Sequence, residues 1–472
     1  MKHFTTDIII GLEVHAELDT KTKLFCSCPT KGSEEPNTRT CEVCLGMPGS
    51  KPVLNKKAVE FALKLCLALN CEISPELIFS RKSYFYPDMA KNYQISQYEI
   101  PLGKDGKLRL SSGKEVGITR VHMEEDPASL VHPAGMKESA YALVDYNRSG
   151  NPLVEIVTEP ELASPDEARD FMKQLISVLN YLEIFDIDSG IIKADANVSI
   201  KESGYTRVEI KNVTGFKEIE RALVYEVNRQ KEESKHNKKI EQETRSWDSE
   251  RGITFSLRKK ETEEDYGYII DTDLTAVEID GRWLKEIKKA MPELAQDKVK
   301  RFVHSYKIKK EDAGIIAADK ELAELFEAAA KEVNPELAAR WIRRDVARVL
   351  NYHNKKLKES GITAKLLIDL LKMAEQKKIT DNTGKMIIEK LFFEPFDVKE
   401  YVKKEKLEAV SDISELEKYC KEAIEENPQA VNDYKNGEKK ALNFIVGVVM
   451  KKTKGKATPK EVNEIISRLI KI

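Results

Sequence analysis

Hydrophobic and polar residues alternate along residues 8–20, which read IIIGLEVHAELDT. Over the second half of this stretch every second residue is aliphatic, and the residues between are Glu13, His15 and Glu17. Successive side chains of a β-strand point to opposite faces of the sheet. The pattern therefore predicts a strand with one apolar face and, on the other face, an acid, an imidazole and a second acid.

Four further segments show the same alternation. They read ITRVHMEE (118–125), NPLVEIV (151–157), DANVSI (195–200) and RVEIKN (207–212). One apolar face per strand is typical of an antiparallel sheet that packs against helices on a single side. We therefore expect the polar faces of these strands to line up as one continuous charged surface.

Helical periodicity appears between the strand segments. Residues 55–69 and 164–182 carry apolar residues at three- and four-residue spacing, and a third helix is expected after Phe216. Asn55 and Ser164 are suitable N-caps, and SPDE at the second start has the form of a capping box. These helices are the expected cover for the apolar face of the sheet.

From about residue 285 the pattern becomes helix after helix, with FFEPFDVKEY (392–401) as a joint. The predicted class is therefore α+β. We expect an N-terminal antiparallel-sheet domain at 1–290, an all-α domain at 291–398 and a small helical tail at 399–472.

Composition narrows the class of protein. The 472 residues are 41% hydrophobic and 33% charged, and no stretch approaches the roughly 20 apolar residues of a membrane span. The N-terminus lacks the features of a secretory signal, so the cytosol is the expected compartment and no membrane partner is expected. The net charge of −2 gives no overall signal for a polyanion, so any nucleic-acid contact requires a local basic patch.

Four of the seven cysteines lie in one short stretch. Cys26 and Cys28 form CSC, and Cys41 and Cys44 close CEVC twelve residues later. Four thiolates complete a closed tetrahedron around zinc, which is typical of a structural metal site. The alternative is a set of free buried cysteines, but the paired spacing in a reducing compartment favours zinc.

The polar strand faces indicate magnesium and phosphate chemistry less specifically. A solvated sheet face normally carries charges, which is the simpler interpretation. However, HMEED (122–126) contains acids that repel one another unless cations neutralise them, and Glu155 lies among apolar residues and needs a partner. Carboxylates and a histidine near basic residues suit magnesium with a polyphosphate. No GxxxxGK[ST] loop occurs, so a nucleotide would lie on the sheet.

Two other segments could contact nucleic acid. YFYPDMAKNYQISQ (84–97) combines Tyr84, Tyr86 and Tyr93 with lysines and could stack bases, although an aromatic core with a loop explains it equally well. KKTKGK (451–456) is the concentrated basic patch of the tail, and a solvated linker is its simpler explanation.

Several motifs together resemble the B subunit of the tRNA-dependent amidotransferase (GatB). They are IGLEVHAEL, CEVCLGMPGSKPVLN, YFYPDMAKNYQISQ, ITRVHMEED, DYNRSGNPLVEIV, DANVSI, QETRSWD and ALNFIVGVVMKKTKGKATP. The resemblance covers essentially the whole chain. It implies an enzyme, a carbon–nitrogen ligase, that converts Glu-tRNA(Gln) to Gln-tRNA(Gln) and Asp-tRNA(Asn) to Asn-tRNA(Asn) with glutamine as amido donor.

The resemblance also implies a fold and a set of site residues. The N-terminal domain is expected to have a glutamine synthetase/guanido kinase-like sheet that binds ATP and Mg²⁺, and the tail to be YqeY-like. Magnesium is expected on Glu13, His15, Glu125 and Glu155, and catalysis is expected to use these four together with Glu124 and Lys211. The residues expected to bind nucleotide or substrate are Arg120, Asn147, Arg148, Asp195, Asn197, Arg207, Glu209, Tyr84, Tyr86 and Tyr93.

The implied partners are an amidase A subunit (GatA), which supplies ammonia, and a small C subunit (GatC) in a heterotrimer. The chain itself shows no amidase signature. The mischarged tRNA is expected to contact the helical domain and the tail, whose lysines are Lys451, Lys452, Lys454 and Lys456.

This sequence departs from the family pattern in two places. It has DYGYIIDTDL (265–274) where the family commonly has DYRYFPEPDL, and KADAN (193–197) where RCDAN is common. Two rival functions are a free-standing carboxylate–amine ligase for a small metabolite and a non-enzymatic RNA-binding module with a zinc knuckle. The basic tail is evidence against the first, and the acid-rich strand faces are evidence against the second. The sequence leaves open which mischarged tRNA is used.

Overall fold

A computed structural model describes residues 7–135, 139–186, 188–259, 267–409, 413–453 and 456–470. Contacts among Cα atoms divide the chain into two units, Met1–Leu294 and Ala295–Ile472. The first unit contains the strands, and the second is helical. The predicted α+β class is confirmed.

The strands of the first unit follow the predicted alternation. Each of the segments that begin at residues 8, 118, 151, 195 and 207 contributes to a strand. The strands are β1 (Ile8–Glu17), β2 (Glu72–Ile73), β3 (Glu76–Leu77), β4 (Ser80–Ser83), β5 (Tyr93–Ser96), β6 (Gly103–Arg109), β7 (Glu115–Glu125), β8 (Ser129–Val131), β9 (Leu143–Asp145), β10 (Pro152–Thr158), β11 (Ile192–Ile200), β12 (Val208–Thr214), β13 (Glu243–Asp248), β14 (Ile253–Lys259), β15 (Gly267–Ile270) and β16 (Val277–Glu278).

Nine strands form the main sheet, in the order β14-β13-β12-β11-β1-β10-β7-β6-β2. The pairs are antiparallel with one exception, because β12 and β13 run parallel. Among the described pairs of this sheet, the predicted antiparallel pairing therefore holds everywhere except between β12 and β13. The chain between these two strands forms a long crossover helix, and such a crossover lets consecutive strands run in the same direction.

The first unit has four α-helices among its described residues. They are α1 (Lys56–Ala68), α2 (Pro165–Leu182), α3 (Phe216–Lys235) and α4 (Gly281–Lys289), with a short 3₁₀ turn at Lys201–Ser203. The apolar residues of α1, α2 and α3 form one core with the apolar face of the sheet, for example Leu65, Phe171 and Leu223 with Leu12 and Val14. The opposite face of the central strands therefore carries their polar side chains.

The predicted caps hold the starts of α1 and α2. The Asn55 side chain accepts hydrogen bonds from the backbone N–H groups of Lys57 and Ala58, and Ser164 accepts one from Glu167. The Glu167 carboxylate accepts from the N–H of Ala163, at 2.9 Å, so the capping box reaches one residue further back than its usual form.

Within the described residues, three small sheets accompany the main one. Their strand orders are β15-β4-β5, β16-β3 and β8-β9. The divergent segment at 265–274 contributes β15, which pairs with β4, whereas residues 265 and 266 lie outside the described part of the chain. Arg81 on β4 donates to Asp271 and Asp273, each at 2.8 Å, so this segment is fixed against β4.

The second unit contains the remaining helices. They are α5 (Ala295–Ser305), α6 (Lys310–Ala317), α7 (Lys320–Ala329), α8 (Pro335–Trp341), α9 (Ala347–His353), α10 (Ala364–Glu375), α11 (Asp381–Phe393), α12 (Val398–Lys404), α13 (Ile413–Glu426), α14 (Pro428–Lys435), α15 (Lys439–Lys452) and α16 (Pro459–Ile470), with a π-helical turn at Ile342–Val346 and a 3₁₀ turn at Leu357–Glu359.

The part of this second unit that the structure describes contains two separate cores. One runs from Phe302 to Val402 and includes Val398, and the other begins at Leu416 in α13. Because α12 is buried in the earlier core, we place the start of the tail after α12 rather than at residue 399. Among the helices that the structure describes, none is long and apolar enough to cross a lipid bilayer.

Candidate active site and metal centres

A row of ionisable side chains crosses four adjacent strands of the main sheet. His15 on β1 lies opposite Lys193 on β11 and opposite Glu155 on β10. Glu155 in turn lies opposite His122 on β7. Residues that are directly paired in a sheet share a face, so the register alone brings these four side chains together.

The first cluster of candidate metal ligands consists of His15, Glu124 and Glu155. Nε2 of His15 lies 3.3 Å from a carboxylate oxygen of Glu155 and 3.5 Å from one of Glu124. Nε2 of His122 also lies 3.3 Å from Glu155. One donor atom from each of the three residues falls within 4.8 Å of the other two, which is the spacing that a single cation requires.

The electrostatics of this cluster favour a bound proton when no metal is present. Burial by itself lowers the pKa of His15, but the hydrogen bond with Glu155 and the charges of Glu124 and Glu155 raise it to about 10. Burial acts in the opposite direction on Glu155, because it raises the pKa of a carboxyl group. The histidines His122 and His15 outweigh burial and hold the pKa of Glu155 well below its usual value. The pair is therefore an imidazolium with a carboxylate, and a metal at Nε2 must displace that proton.

The second cluster consists of Glu13, Asp195 and Glu209, from β1, β11 and β12. Its carboxylate oxygens also lie within 4.8 Å of one another. The Lys211 ammonium lies 2.8 Å from Asp195 and 3.1 Å from Glu209. Burial raises the pKa of Glu13, and the neighbouring carboxylates raise it further. Three acids with one lysine leave an excess of negative charge that a divalent cation would neutralise.

A buried atom without a partner supports a ligand at the second cluster. The Nδ2 of Asn197 donates to Glu13 at 3.0 Å, while its Oδ1 is buried and has no hydrogen-bond partner among the described residues. Nδ1 of the buried His122 is also without a partner there. Oxygen donors with one imidazole are ligands that Mg²⁺ and Mn²⁺ accept, so the donor set fits such an ion.

The structure does not bring Glu125 into either cluster, although we predicted it as a magnesium ligand. Side chains alternate along β7, so Glu124 shares the face of Glu155 and Glu125 points to the opposite side. Glu125 forms an ion pair with Lys91 and accepts a hydrogen bond from the N–H of Ile95 at 2.8 Å. The geometry therefore favours Glu124 over Glu125 beside His15.

The remaining basic residues predicted for this face have different positions. Nη2 of Arg120 lies 3.8 Å from Glu155, at the border of the first cluster. Arg207 is exposed immediately before β12, and among the described residues it makes no ion pair with either cluster. Lys211 bridges two acids of the second cluster, as described above.

Asn147 holds the cysteine loop and is not directed towards the clusters. Its Oδ1 accepts from the N–H of Arg39 at 2.8 Å, and its Nδ2 donates to the carbonyl of Glu35 at 2.7 Å. Arg148 forms an ion pair with Asp126 at 2.9 Å. Both residues were predicted to bind substrate, and the structure shows them in contact with protein groups.

The predicted aromatic segment lies on the small sheet β15-β4-β5. Tyr86 is 57% exposed and Phe85 is 84% exposed, so this segment is not an aromatic core. The Arg81 guanidinium lies over the ring of Tyr93 on β5, 4.6 Å from the centroid of that ring. Tyr84, which follows β4, is half-buried. These rings remain candidates for stacking on a base.

The four clustered cysteines converge. One Sγ from each of Cys26, Cys28, Cys41 and Cys44 lies within 4.8 Å of the other three, and the Sγ atoms of Cys41 and Cys44 are 3.9 Å apart. Zinc–sulfur bonds of about 2.3 Å in a tetrahedron place sulfurs about 3.8 Å apart. The geometry fits a zinc ion with four thiolate ligands.

The clustered thiols change one another's pKa values. The hydrogen bond from Cys26 lowers the pKa of Cys44 to about 5 against the effect of burial, and the Lys23 charge adds to it. Burial and the neighbouring thiols raise the pKa of Cys28 to about 12. Lys23 is itself fully buried and donates to the carbonyls of Arg39 and Tyr146, so it links the cysteine loop to the residue that follows β9.

The tail lysines have unequal positions. Lys451 is exposed at the end of α15, whereas Lys452 forms ion pairs with Glu422 at 3.3 Å and Glu426 at 2.6 Å. Lys456 is half-buried, and Lys454 lies outside the described residues. Among the described lysines of this patch, Lys451 is therefore the most exposed.

The sequence analysis missed two members of the polar face, His122 and Lys193. Both follow from the alternation, because His122 lies between Arg120 and Glu124 on β7, and Lys193 precedes Asp195 by two residues on β11. The alternation of side chains along each strand is enough to place them on the polar face. Their position relative to His15 depends on the register between the strands.

Comparisons with known proteins agree on one family. A family model of the GatB/GatE catalytic domain matches residues 8–285, and a model of the GatB domain matches residues 324–470. Over 470 residues the chain is 43% identical to the B subunit of the aspartyl/glutamyl-tRNA(Asn/Gln) amidotransferase of Carboxydothermus hydrogenoformans, covering 98% of each chain. It is 44% identical over 474 residues to the same subunit of Thermotoga maritima, again covering 98% of each chain.

Proposed function

The chain belongs to the GatB/GatE family of amidotransferase subunits, and on this premise we propose that it activates the side-chain carboxylate of a mischarged aminoacyl-tRNA with ATP. The substrates are Glu-tRNA(Gln), Asp-tRNA(Asn) or both. Amidation by ammonia then gives Gln-tRNA(Gln) or Asn-tRNA(Asn). The observation that carries the proposal is the pair of ligand clusters centred on Glu13 and His15, two residues apart on one face of β1.

The chemistry requires an activated carboxylate because a carboxylate oxygen is too poor a leaving group for direct amidation. A side-chain oxygen attacks the γ-phosphorus of ATP, the bond to the β-phosphate oxygen breaks, and ADP leaves. Ammonia then attacks the carbonyl carbon of the acyl phosphate, inorganic phosphate leaves, and the nitrogen loses a proton. The products are the amide, ADP and phosphate.

Each cluster would hold one divalent cation. His15, Glu124 and Glu155 would form one ligand set, and Glu13, Asp195 and Glu209 the other. When bound, Mg²⁺ neutralises the phosphate oxygens and stabilises the charge that develops during transfer.

The chain itself supplies positioning and fixed charge. His122 holds Glu155 in place through the 3.3 Å contact, and Asn197 does the same for Glu13. The Arg120 guanidinium and the Lys211 ammonium border the two clusters and can bind phosphate oxygens.

Zinc on the four clustered cysteines is proposed as a structural ion. All four positions of a tetrahedron are filled by protein sulfurs, which leaves no site for substrate. The loop lies beside the residues that follow β9, through the bonds of Asn147, and a bound zinc would fix it there.

The chain is proposed to work in the cytoplasm with two partner subunits. An amidase A subunit would release ammonia from glutamine, and a small C subunit would complete the heterotrimer. The matched relatives are named as one lettered subunit of an amidotransferase, which supports an enzyme of several subunits. The helical tail would bind the tRNA through exposed lysines such as Lys451.

The direct test combines the purified chain with ATP, Mg²⁺, ammonium chloride and Glu-tRNA(Gln), and measures Gln-tRNA(Gln) and ADP. We expect both products, each dependent on Mg²⁺, and we expect His15→Ala to abolish them while tRNA affinity remains nearly unchanged. Lys107→Ala, on the far end of β6, is the matched control. If the wild-type chain, alone and with its partner subunits, makes no ADP in a tRNA-dependent manner, the proposed function is wrong.

A further inference from the structure

Glu17 occupies the row next to the first cluster on the same face of the sheet. It lies opposite Leu153 on β10, and Leu153 lies opposite Glu124 on β7. Glu17 and His15 are two residues apart on β1, which corresponds to about 7 Å along a strand. Glu17 thus stands beside the reaction centre, although the proposed chemistry gives it no role.

Glu17 is a partly buried carboxylate without a cationic partner. Its Oε1 accepts one hydrogen bond, from Nδ2 of Asn151 at 2.6 Å, and within the described part of the chain no lysine or arginine nitrogen comes within 4.0 Å of it. Arg148 is the cation whose charge acts most on Glu17, but its guanidinium already pairs with Asp126 at 2.9 Å. A partly buried carboxylate in this position lacks a positively charged partner.

Asn151 provides a second, independent observation. Its side chain is buried, with 3% of the residue exposed, and its Oδ1 has no hydrogen-bond partner among the described residues. The two polar atoms of one amide are about 2.3 Å apart, so this acceptor lies within about 5 Å of the Glu17 oxygen. Two acceptors that can each take a further donor therefore lie side by side.

Asp126 adjoins Asn151, but its carboxylate pairs with Arg148, so Glu17 carries the uncompensated negative charge here. The N–H of Asp126 donates to the carbonyl of Asn151 at 2.8 Å, so the backbone places it next to that residue. Acceptors with a net negative charge bind a group that has several N–H bonds and a positive charge. A primary ammonium group has both properties.

We propose that Glu17 and Asn151, with Asp126 beside them, form a binding site for the α-ammonium group of the aminoacyl substrate. The inference rests on the proposed function, which supplies a substrate with that group: the amino acid is esterified to tRNA through its α-carboxyl, so its amino group stays free. In an extended glutamyl group the α-nitrogen is about 5 Å from the side-chain carboxyl carbon. The spacing between Glu17 and His15 accommodates this length.

The site would position the substrate and contribute to its selection. An ammonium held by Glu17 places the side-chain carboxylate near the clusters of Glu13 and His15. An aminoacyl-tRNA whose α-amino group is blocked or absent would lose this contact. Glu17 is in this sense a positioning residue, and it takes no part in proton or phosphoryl transfer.

The test compares Glu-tRNA(Gln) with 2-hydroxyglutaryl-tRNA(Gln), in which a hydroxyl replaces the ammonium at nearly equal size. The assay uses the chain assembled with its partner subunits, with glutamine as nitrogen source. We expect the wild type to show a KM roughly tenfold or more higher for the hydroxy substrate, because a hydrogen bond between charged groups is lost. Glu17→Gln should raise the KM for Glu-tRNA(Gln) by a similar factor and leave the KM for the hydroxy substrate unchanged.

Control variants separate this site from a general structural effect. Glu115→Gln, an exposed acid at the far end of β7, should behave as wild type with both substrates. Glu17→Asp keeps the charge and should give an intermediate KM, which tests the idea even if Glu17→Gln folds poorly. Thermal melts of each variant report folding independently.

Three results would overturn the proposal. The first is a wild type that does not distinguish the two substrates, and the second is a Glu17→Gln variant that weakens both substrates equally. The third concerns assays with ammonium chloride in place of glutamine. If Glu17→Gln then changes the KM for ammonium and not the KM for tRNA, the site binds the ammonium ion instead. If instead the wild type amidates neither substrate, the proposed function fails and this inference fails with it.

Discussion

His15 and Glu155 face each other across β1 and β10, with Nε2 of the histidine 3.3 Å from the Glu155 carboxylate. The pair fixes the centre of the first ligand cluster, because Glu124 and His122 reach the same two side chains from β7. An imidazolium and a carboxylate hold this place in the absence of metal. A metal ion bound there would replace the proton between them.

The parity of β7 leads to a prediction about which acid binds metal. Glu124→Gln should lower the affinity of the chain for Mn²⁺ at least tenfold, because it removes a ligand beside His15. Glu125→Gln should leave that affinity within about twofold, because Glu125 points to the other side of the strand and pairs with Lys91. Isothermal titration of both variants with Mn²⁺ measures this, and equal losses would show that the ligand set is wrong.

The raised pKa of His15 predicts that metal affinity depends on pH. With a pKa of about 10 the metal-free histidine is protonated at neutral pH, and a metal binds only to the neutral ring. Proton and metal therefore compete, and Mn²⁺ affinity should rise with pH from about 6.5 to about 8.5, by up to about tenfold per unit. The measurement is a titration series across that range. In His15→Gln this contribution to the slope should disappear, and an unchanged slope would contradict the assignment.

The cysteine cluster predicts one zinc per chain. Protein purified without chelator should contain one equivalent by elemental analysis, and Cys41→Ser should lose most of it, because three thiolates leave the tetrahedron open. Melting temperature should fall in the variant, since the loop loses its fixed point. Cys71→Ser, outside the cluster, should keep the zinc. If wild-type protein stripped of metal melted at the same temperature as the protein with zinc added, a structural zinc would be excluded.

The two neighbouring lysines of α15 should differ in their effect on tRNA binding. Lys451→Ala should reduce the slope of log K against log salt by roughly 0.7–0.9, the value of one phosphate contact. Lys452→Ala should change the slope much less, because Lys452 is engaged by Glu422 and Glu426. Binding of the tRNA at several KCl concentrations tests this, and a Lys451→Ala slope equal to that of the wild type would mean that Lys451 does not contact the backbone.

The sequence by itself determined the periodic elements of this protein and their polarity. Alternation along residues 8–20 predicted β1 with Glu13 and His15 on one face, and apolar spacing with an Asn55 cap predicted α1. These features depend on neighbours close in the chain, so a local pattern contains them. The four cysteines were equally readable, because their spacing is itself the signature of the site.

The tertiary structure decided which side chains meet. His15 finds Glu155, about 140 residues later, and Glu13 finds Asp195, because the register pairs β1 with β10 and with β11. The choice between Glu124 and Glu125 depends on the register of β7 against β10, since a shift of one residue moves every side chain to the other face. Asn147 likewise appears as a site residue in the sequence and holds the cysteine loop in the structure. Contacts between distant segments follow from strand pairing and packing, and no local pattern of residues specifies them.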